Sequence, residues 1–249
     1  MGRGVLLSVL VVAGLGASAC GDDAAPTRVL VYSRTLGYRH ADAIEAGTAA
    51  LSARLAARGL EVVATEDPLR FRTDELAGYG AVVFFYTTGN DVLDADGKAA
   101  LEAYVRGGHG WVGVHSATDT EYEWPFYQEL VVAHFARHPA IQPATVHVED
   151  AHHPATATAP SPWLATDEWY DFRANPRDTS GVRVLLTIDE ATYTGGMMGD
   201  DHPLAWAHER LGGRAFYTAL GHVAERWREP AFLAHVEGGL DWALRLDAR

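Results

Sequence analysis

The sequence predicts an α/β protein built on a parallel sheet sandwiched by helices, with extra antiparallel strands in its second half. Three observations predict it. Short, unbroken apolar runs recur at residues 28–33 (RVLVYS), 81–86 (AVVFFY) and 111–114 (WVGV), as strands buried on both faces require. Segments of helical period lie between them. The connections are short, as in a parallel sheet with helices on both faces.

Taken in order, residues 28–33 form the first strand. Residues 42–57 carry Ile44, Leu51 and Leu55 at helical spacing, and Gly59 stops that helix. Residues 61–65 (EVVAT) are a second strand and 81–86 a third. Asp94 starts a helix through Leu101, Tyr104 and Val105, which Gly107 and Gly108 end. Residues 111–114 are the fourth strand. Beyond it, 124–132 is a short helix. Residues 144–148, 169–172, 182–188, 204–208 and 215–220 are strands, partly antiparallel, and 154–162 is a loop. Pro230 opens a last helix with Phe232, Leu233, Val236, Leu240 and Leu244 on one face.

Residues 1–27 carry the expectation of where the protein works. Arg3, the apolar stretch 5–15 and Ala17-Ser18-Ala19 have the order of a signal peptide over residues 1–19, too short to span a membrane. The only cysteine, Cys20, follows at once, as in a lipidated bacterial lipoprotein. Residues 20–27 then tether residues 28–249, a single domain, to the cell envelope. An ordinary secreted or periplasmic protein is the alternative. With Cys20 lipidated, disulfides, thiolate metal ligands and a Cys nucleophile are all excluded. The membrane is then met only through the anchor.

The formal charge is −13, and loss of residues 1–19 removes only Arg3, which makes it −14. Lys98 is the only lysine. So acidic a chain lacks the basic face that nucleic acid needs.

In parallel sheets, ligands bind beyond the carboxyl ends of the strands. Those ends are Tyr32-Ser33-Arg34, residues 86–89 (YTTG) and His115-Ser116, each polar directly after an apolar strand. His115 follows Gly113, which allows close approach, and stands at a sharp turn. His222 follows Gly221 after another strand, with Glu225 near enough in sequence to orient it. Its near-neutral pKa suits acid/base work. Glu168 lies among Trp169, Tyr170 and Phe172, where burial makes a carboxyl a usable acid or base. These three, His115, His222 and Glu168, are the expected catalytic residues. His40, Ser116, Trp124 and His138 are the expected substrate contacts, and Trp163 is a further candidate aromatic. His138-Pro139, His153-Pro154 and His202-Pro203 show no metal-ligand spacing. No cofactor is expected, and a divalent metal on His115, His138 or His222 is the alternative.

The sequence also resembles the trehalose-utilisation (ThuA-like) family. The shared features are GYRH at 37–40, GGHGWVGVHSATDT at 107–120, WPFYQEL at 124–130 and FARHP at 135–139. HPAT at 153–156, DEWYDF at 167–172, PLAW at 203–206, GRAFYTALGH at 213–222 and DWAL at 241–244 complete them. The family's usual glycines are replaced by Val131-Val132-Ala133. The resemblance implies a flavodoxin-like fold of the class I glutamine amidotransferase type. In that fold a Cys occupies the place of His115-Ser116, and a downstream His corresponds to His222. Without the thiol, glutaminase chemistry is not expected. Disaccharide or keto-sugar catabolism is implied, with a small carbohydrate as substrate and an isomerase, lyase or hydrolase as the enzyme. A non-catalytic saccharide-binding lipoprotein and a metal-dependent hydrolase are the alternatives.

Overall fold

The computed structural model describes residues 1–2 and 28–247. The expected signal peptide beyond residue 2, the expected tether and Cys20 therefore lie outside the described residues. No described helix is long and apolar enough to cross a membrane.

Five strands build the parallel part: β1 (Arg28–Tyr32), β2 (Glu61–Thr65), β3 (Ala81–Phe85), β4 (Gly110–Val114) and, from the far end of the chain, β11 (Ala215–Thr218). β3 and β4 are buried at every position, which is why they read as continuous apolar runs. The adjoining antiparallel part holds β6 (Gln142–Val148), β7 (Trp163–Asp167), β9 (Val182–Asp189) and β10 (Pro203–His208). Together they form one sheet of nine strands in the order β2-β1-β3-β4-β11-β10-β9-β6-β7. β5 (Phe135–Arg137) and β8 (Asp171–Phe172) pair separately.

The helices are α1 (Ala41–Ala56), α2 (Thr73–Leu76), α3 (Ala95–Arg106), α4 (Pro125–Val131) and α5 (Pro230–Ala243). Alternation along β3 shows how they cover the sheet. Phe85 packs against Trp227, centroids 5.2 Å apart, in the turn before α5 that also packs against α1. Phe84 points the other way, to Phe71 at 5.8 Å and Tyr127 of α4 at 5.4 Å.

The expected elements are present, with four corrections. The strand expected at 169–172 shrinks to Asp171–Phe172, because Trp169 and Tyr170 turn inward off the sheet. A strand not anticipated, β7, replaces it. Its alternation is disguised: Leu164 is 79% exposed, while Asp167 faces inward and is fully buried. Trp163, expected near a loop, is a buried residue of that strand. Finally, Gly113 makes room for the indole of Trp111 and the ring of Tyr217, not for a ligand.

Val132 ends α4 with a φ of +70°. A β-branched residue is strained there, by roughly 1–3 kcal/mol. The α4 cap therefore retains the left-handed turn without the residue that best suits it.

Two histidines sit in the core as neutral rings. His235 on α5 donates from Nδ1 to the Ala155 carbonyl (2.8 Å) and accepts at Nε2 from the Thr218 hydroxyl (3.0 Å). His208 donates from Nε2 to the Leu130 carbonyl (2.9 Å). Burial pushes both down to about 4. Their unfolded pKa is near 6.5, so below about pH 6.5 the unfolded chain takes up protons that the folded chain refuses. The stability they contribute is complete above that pH and is lost as the pH falls toward 4, by up to about 3 kcal/mol each. Urea unfolding midpoints should fall between pH 7.5 and pH 5, and the fall should be smaller in His235→Gln. An equal fall in that variant would remove His235 from the explanation.

Candidate functional site

The site forms where the carboxyl ends of β3, β4 and β11 meet. β4 and β11 are parallel neighbours with Val114 beside Thr218, so the residues that follow, His115 and Ala219, are adjacent. His115 has a φ of +52°, a left-handed conformation that turns the chain sharply off the strand. Gly221, with a φ of +113°, makes the matching turn after β11 and leaves room for the Tyr86 hydroxyl, which donates to its carbonyl.

These turns bring His115, Glu168 and His222 together. The His115 ring is fully buried, and its Nδ1 donates to the Ala219 carbonyl at 2.7 Å. That bond leaves Nε2 facing His222 Nδ1 at 3.2 Å and Glu168 Oε2 at 3.5 Å. His222 Nδ1 lies 3.0 Å from the same carboxylate oxygen. The other oxygen, Oε1, is 3.0 Å from His138 Nδ1. The His138 nitrogen also donates to the Pro139 carbonyl at 2.8 Å. One carboxylate thus touches three imidazoles. Burial acts to raise the Glu168 pKa, but hydrogen bonds and charge from His115 and His222 outweigh it and hold the carboxyl well below its usual range.

His40 completes the group. It precedes α1 and packs edge-on against both His115 (4.7 Å between centroids) and His222 (4.9 Å). Burial first, then the nearby His115 and His222, push it down to about 2, so it is neutral. These residues open on a cavity of about 350 Å³, where Tyr38, Phe135 and Tyr170 supply aromatic walls. His40, His138, Glu168, His222 and Asp119 supply its polar groups. Tyr170 also lies against the His115 ring, at 4.3 Å.

Of the expected substrate contacts, His40 and His138 line the cavity. Ser116 does not: it is fully buried, with its hydroxyl 3.5 Å from His40 Nδ1. Trp124 is not brought there either. Its ring lies 5.9 Å from that of Tyr127 with the Lys98 ammonium over it. The carboxylate beside His222 is Glu168 and not Glu225, because a strand remote in sequence supplies it.

Asp167 was not anticipated, and it holds the site's backbone. Its Oδ1 accepts from the amides of Glu168 (3.0 Å) and His222 (2.9 Å). Its Oδ2 accepts from the Gly221 amide (2.8 Å) and from Arg226 Nε (3.2 Å). The side chains of Asp167 and Arg226 are 0% and 2% exposed. Its signals in the sequence are its position next to Glu168 and its place at the head of the DEWYDF motif. Removing one partner of such a buried pair costs about 3–5 kcal/mol. Asp167→Ala should lose about that much in denaturant unfolding, with Asp167→Asn losing less. A loss under about 1 kcal/mol in Asp167→Ala would contradict this anchoring role.

The family model described as "ThuA: Trehalose utilisation" matches residues 28–243. Among solved structures, the chain is similar to a ThuA-like protein from Bacteroides uniformis ATCC 8492, with a TM-score of 0.75, 23% identity and coverage of 92% of this chain and 95% of that one. It is similar also to a ThuA-like protein from Parabacteroides merdae ATCC 43184, with a TM-score of 0.70, 21% identity and coverage of 88% and 90%. A GMP synthase-like protein from Thermoplasma acidophilum shares the fold at a TM-score of 0.51 and 12% identity, covering 89% and 98%. No protein of curated function matches the chain in sequence.

Proposed function

The chain belongs to the trehalose-utilisation family, and from that premise we propose that it is an enzyme of disaccharide or keto-sugar catabolism that transfers a proton at a carbon next to a carbonyl. The observation that supports this best is the attachment of three imidazoles to one buried carboxylate at the floor of a small aromatic-walled cavity. The cavity's size and its mixture of ring faces and polar groups suit one sugar ring.

Removing a proton beside a ketone needs a base, and it needs positive charge where the enediolate oxygen forms. His138 fits the first requirement. With its Nδ1–H shared between Glu168 and Pro139, Nε2 is the nitrogen left to take a proton. His222, which lines the cavity and is held by Glu168, fits the second. His115 is buried beneath and acts through them, as a positioning residue. Returning the proton to the neighbouring carbon completes an isomerisation. Expelling a substituent instead gives an elimination.

We further propose that the protein is exported and held in the envelope by a lipid on Cys20, on the strength of residues 1–20.

Deuterium wash-in tests the reaction. A 3-keto-disaccharide incubated in D2O with the protein should gain deuterium next to the carbonyl. Glu168→Gln and His138→Gln should each slow the exchange by about 10²–10⁴-fold. Trp124→Ala should leave KM unchanged. Tight binding without exchange would replace this reading with the saccharide-binding one.

A further inference from the structure

We propose that His40, His115, His222 and Glu168 form the binding site for one divalent transition-metal ion of the zinc class. Four observations support it.

The first is spacing. His115 Nε2, His222 Nδ1 and Glu168 Oε2 form a triangle with sides of 3.0, 3.2 and 3.5 Å. A tetrahedral ion with bonds of about 2.0–2.1 Å separates its ligand atoms by about 3.3 Å. His40 supplies a fourth donor, and all four donor atoms lie within 4.8 Å of one another.

The second is a surplus of lone pairs. The His115 Nδ1–H is committed to the Ala219 carbonyl, so when the ring gives up its other proton, as metal binding requires, it turns a bare Nε2 inward. Glu168 Oε2 has only lone pairs to offer. A single hydrogen on His222 Nδ1 can satisfy one of these two acceptors but not both. The remaining lone pairs face one another at short range, an arrangement that a cation satisfies at once.

The third is support around the donors. Histidines that bind metals usually donate their other ring N–H to a carbonyl or carboxylate, which fixes the tautomer. His115 does so to Ala219. Asp167 holds the backbone amides of both Glu168 and His222. The donors are thereby placed by hydrogen bonds that none of the proposed metal bonds would disturb.

The fourth is access. His115 is fully buried and His40 nearly so, while His40, His222 and Glu168 also line the cavity. The ion would have protein on one side and the cavity on the other, where a substrate oxygen would add as a fifth ligand.

The ion's role rests on the reaction proposed above: it would take the enediolate oxygen while His138, outside the donor set, carries the proton. Its binding does not depend on that reaction.

Zinc chloride alone is the probe. The full chain, stripped with chelator and dialysed, should bind one equivalent of zinc with submicromolar affinity by calorimetry. His115→Gln and Glu168→Gln should each weaken binding at least 100-fold, and His138→Gln should not. Cobalt(II) bound to the same protein should show the intense visible bands of a four-coordinate ion, which distinguishes a lost ligand from an unfolded variant. Binding weaker than about 0.1 mM, or binding unaffected by His115→Gln in a folded variant, would overturn the proposal. Loss of binding only on Glu190→Gln would move the ion to the separate group of Asp171, Glu190 and His202 and overturn it equally. Zinc binding without deuterium exchange would keep the metal site and remove the keto-sugar reaction.

Discussion

The buried carboxylate of Glu168 is the contact on which the rest of the site depends. It lies just past the end of β7, and its two oxygens face imidazoles from three other parts of the chain. An ionised carboxyl in the interior is costly unless charge and hydrogen bonds compensate it. Here His115 and His222 do so strongly enough to overcome burial. Without Glu168, the imidazoles have no common partner. Without them, the carboxylate is a buried charge with nothing to hold it.

The fold brings these groups together through its sheet order. β11 comes from the end of the chain yet inserts beside β4, so the turn bearing His222 lies next to the turn bearing His115. β7 forms the opposite edge of the sheet, and the segment that follows it crosses back to the same cavity. Asp167, the last residue of β7, locks that crossing. Its carboxylate binds the amides of Gly221 and His222 on one segment and of Glu168 on the other, with Arg226 balancing its charge. The strained turn at His115 persists because its carbonyl accepts from the Tyr217 hydroxyl and its ring is held by Ala219.

The parallel half of the fold was legible in the sequence because β3 and β4 are buried on both faces, and unbroken apolarity is the mark of such strands. His115 and His222 were legible for a related reason: packing gives an apolar strand no cause to end on an imidazole. β7 was not legible. An outward leucine and an inward aspartate invert the pattern that marks a half-buried strand. Hiding β7 also hid Asp167, and it left Glu225 as the nearest carboxylate for His222 by sequence, although Glu168 holds that position in space. Trp124 illustrates the opposite error. An aromatic residue at the start of a helix suits a binding wall in sequence, but here it covers Tyr127 and Lys98. His138 was expected as a substrate contact from its His-Pro pair and motif, but its contact with Glu168 was not visible in the sequence.

The claim that one carboxylate organises three imidazoles is tested most directly by the ring-nitrogen NMR signals of 15N-histidine-labelled protein, with and without Glu168→Gln. The His115 ring should be protonated at Nδ1, and the His115, His138 and His222 signals should be displaced together when Glu168 is replaced. A His115 ring protonated only at Nε2, or a replacement that leaves two of the three rings unmoved, would contradict it.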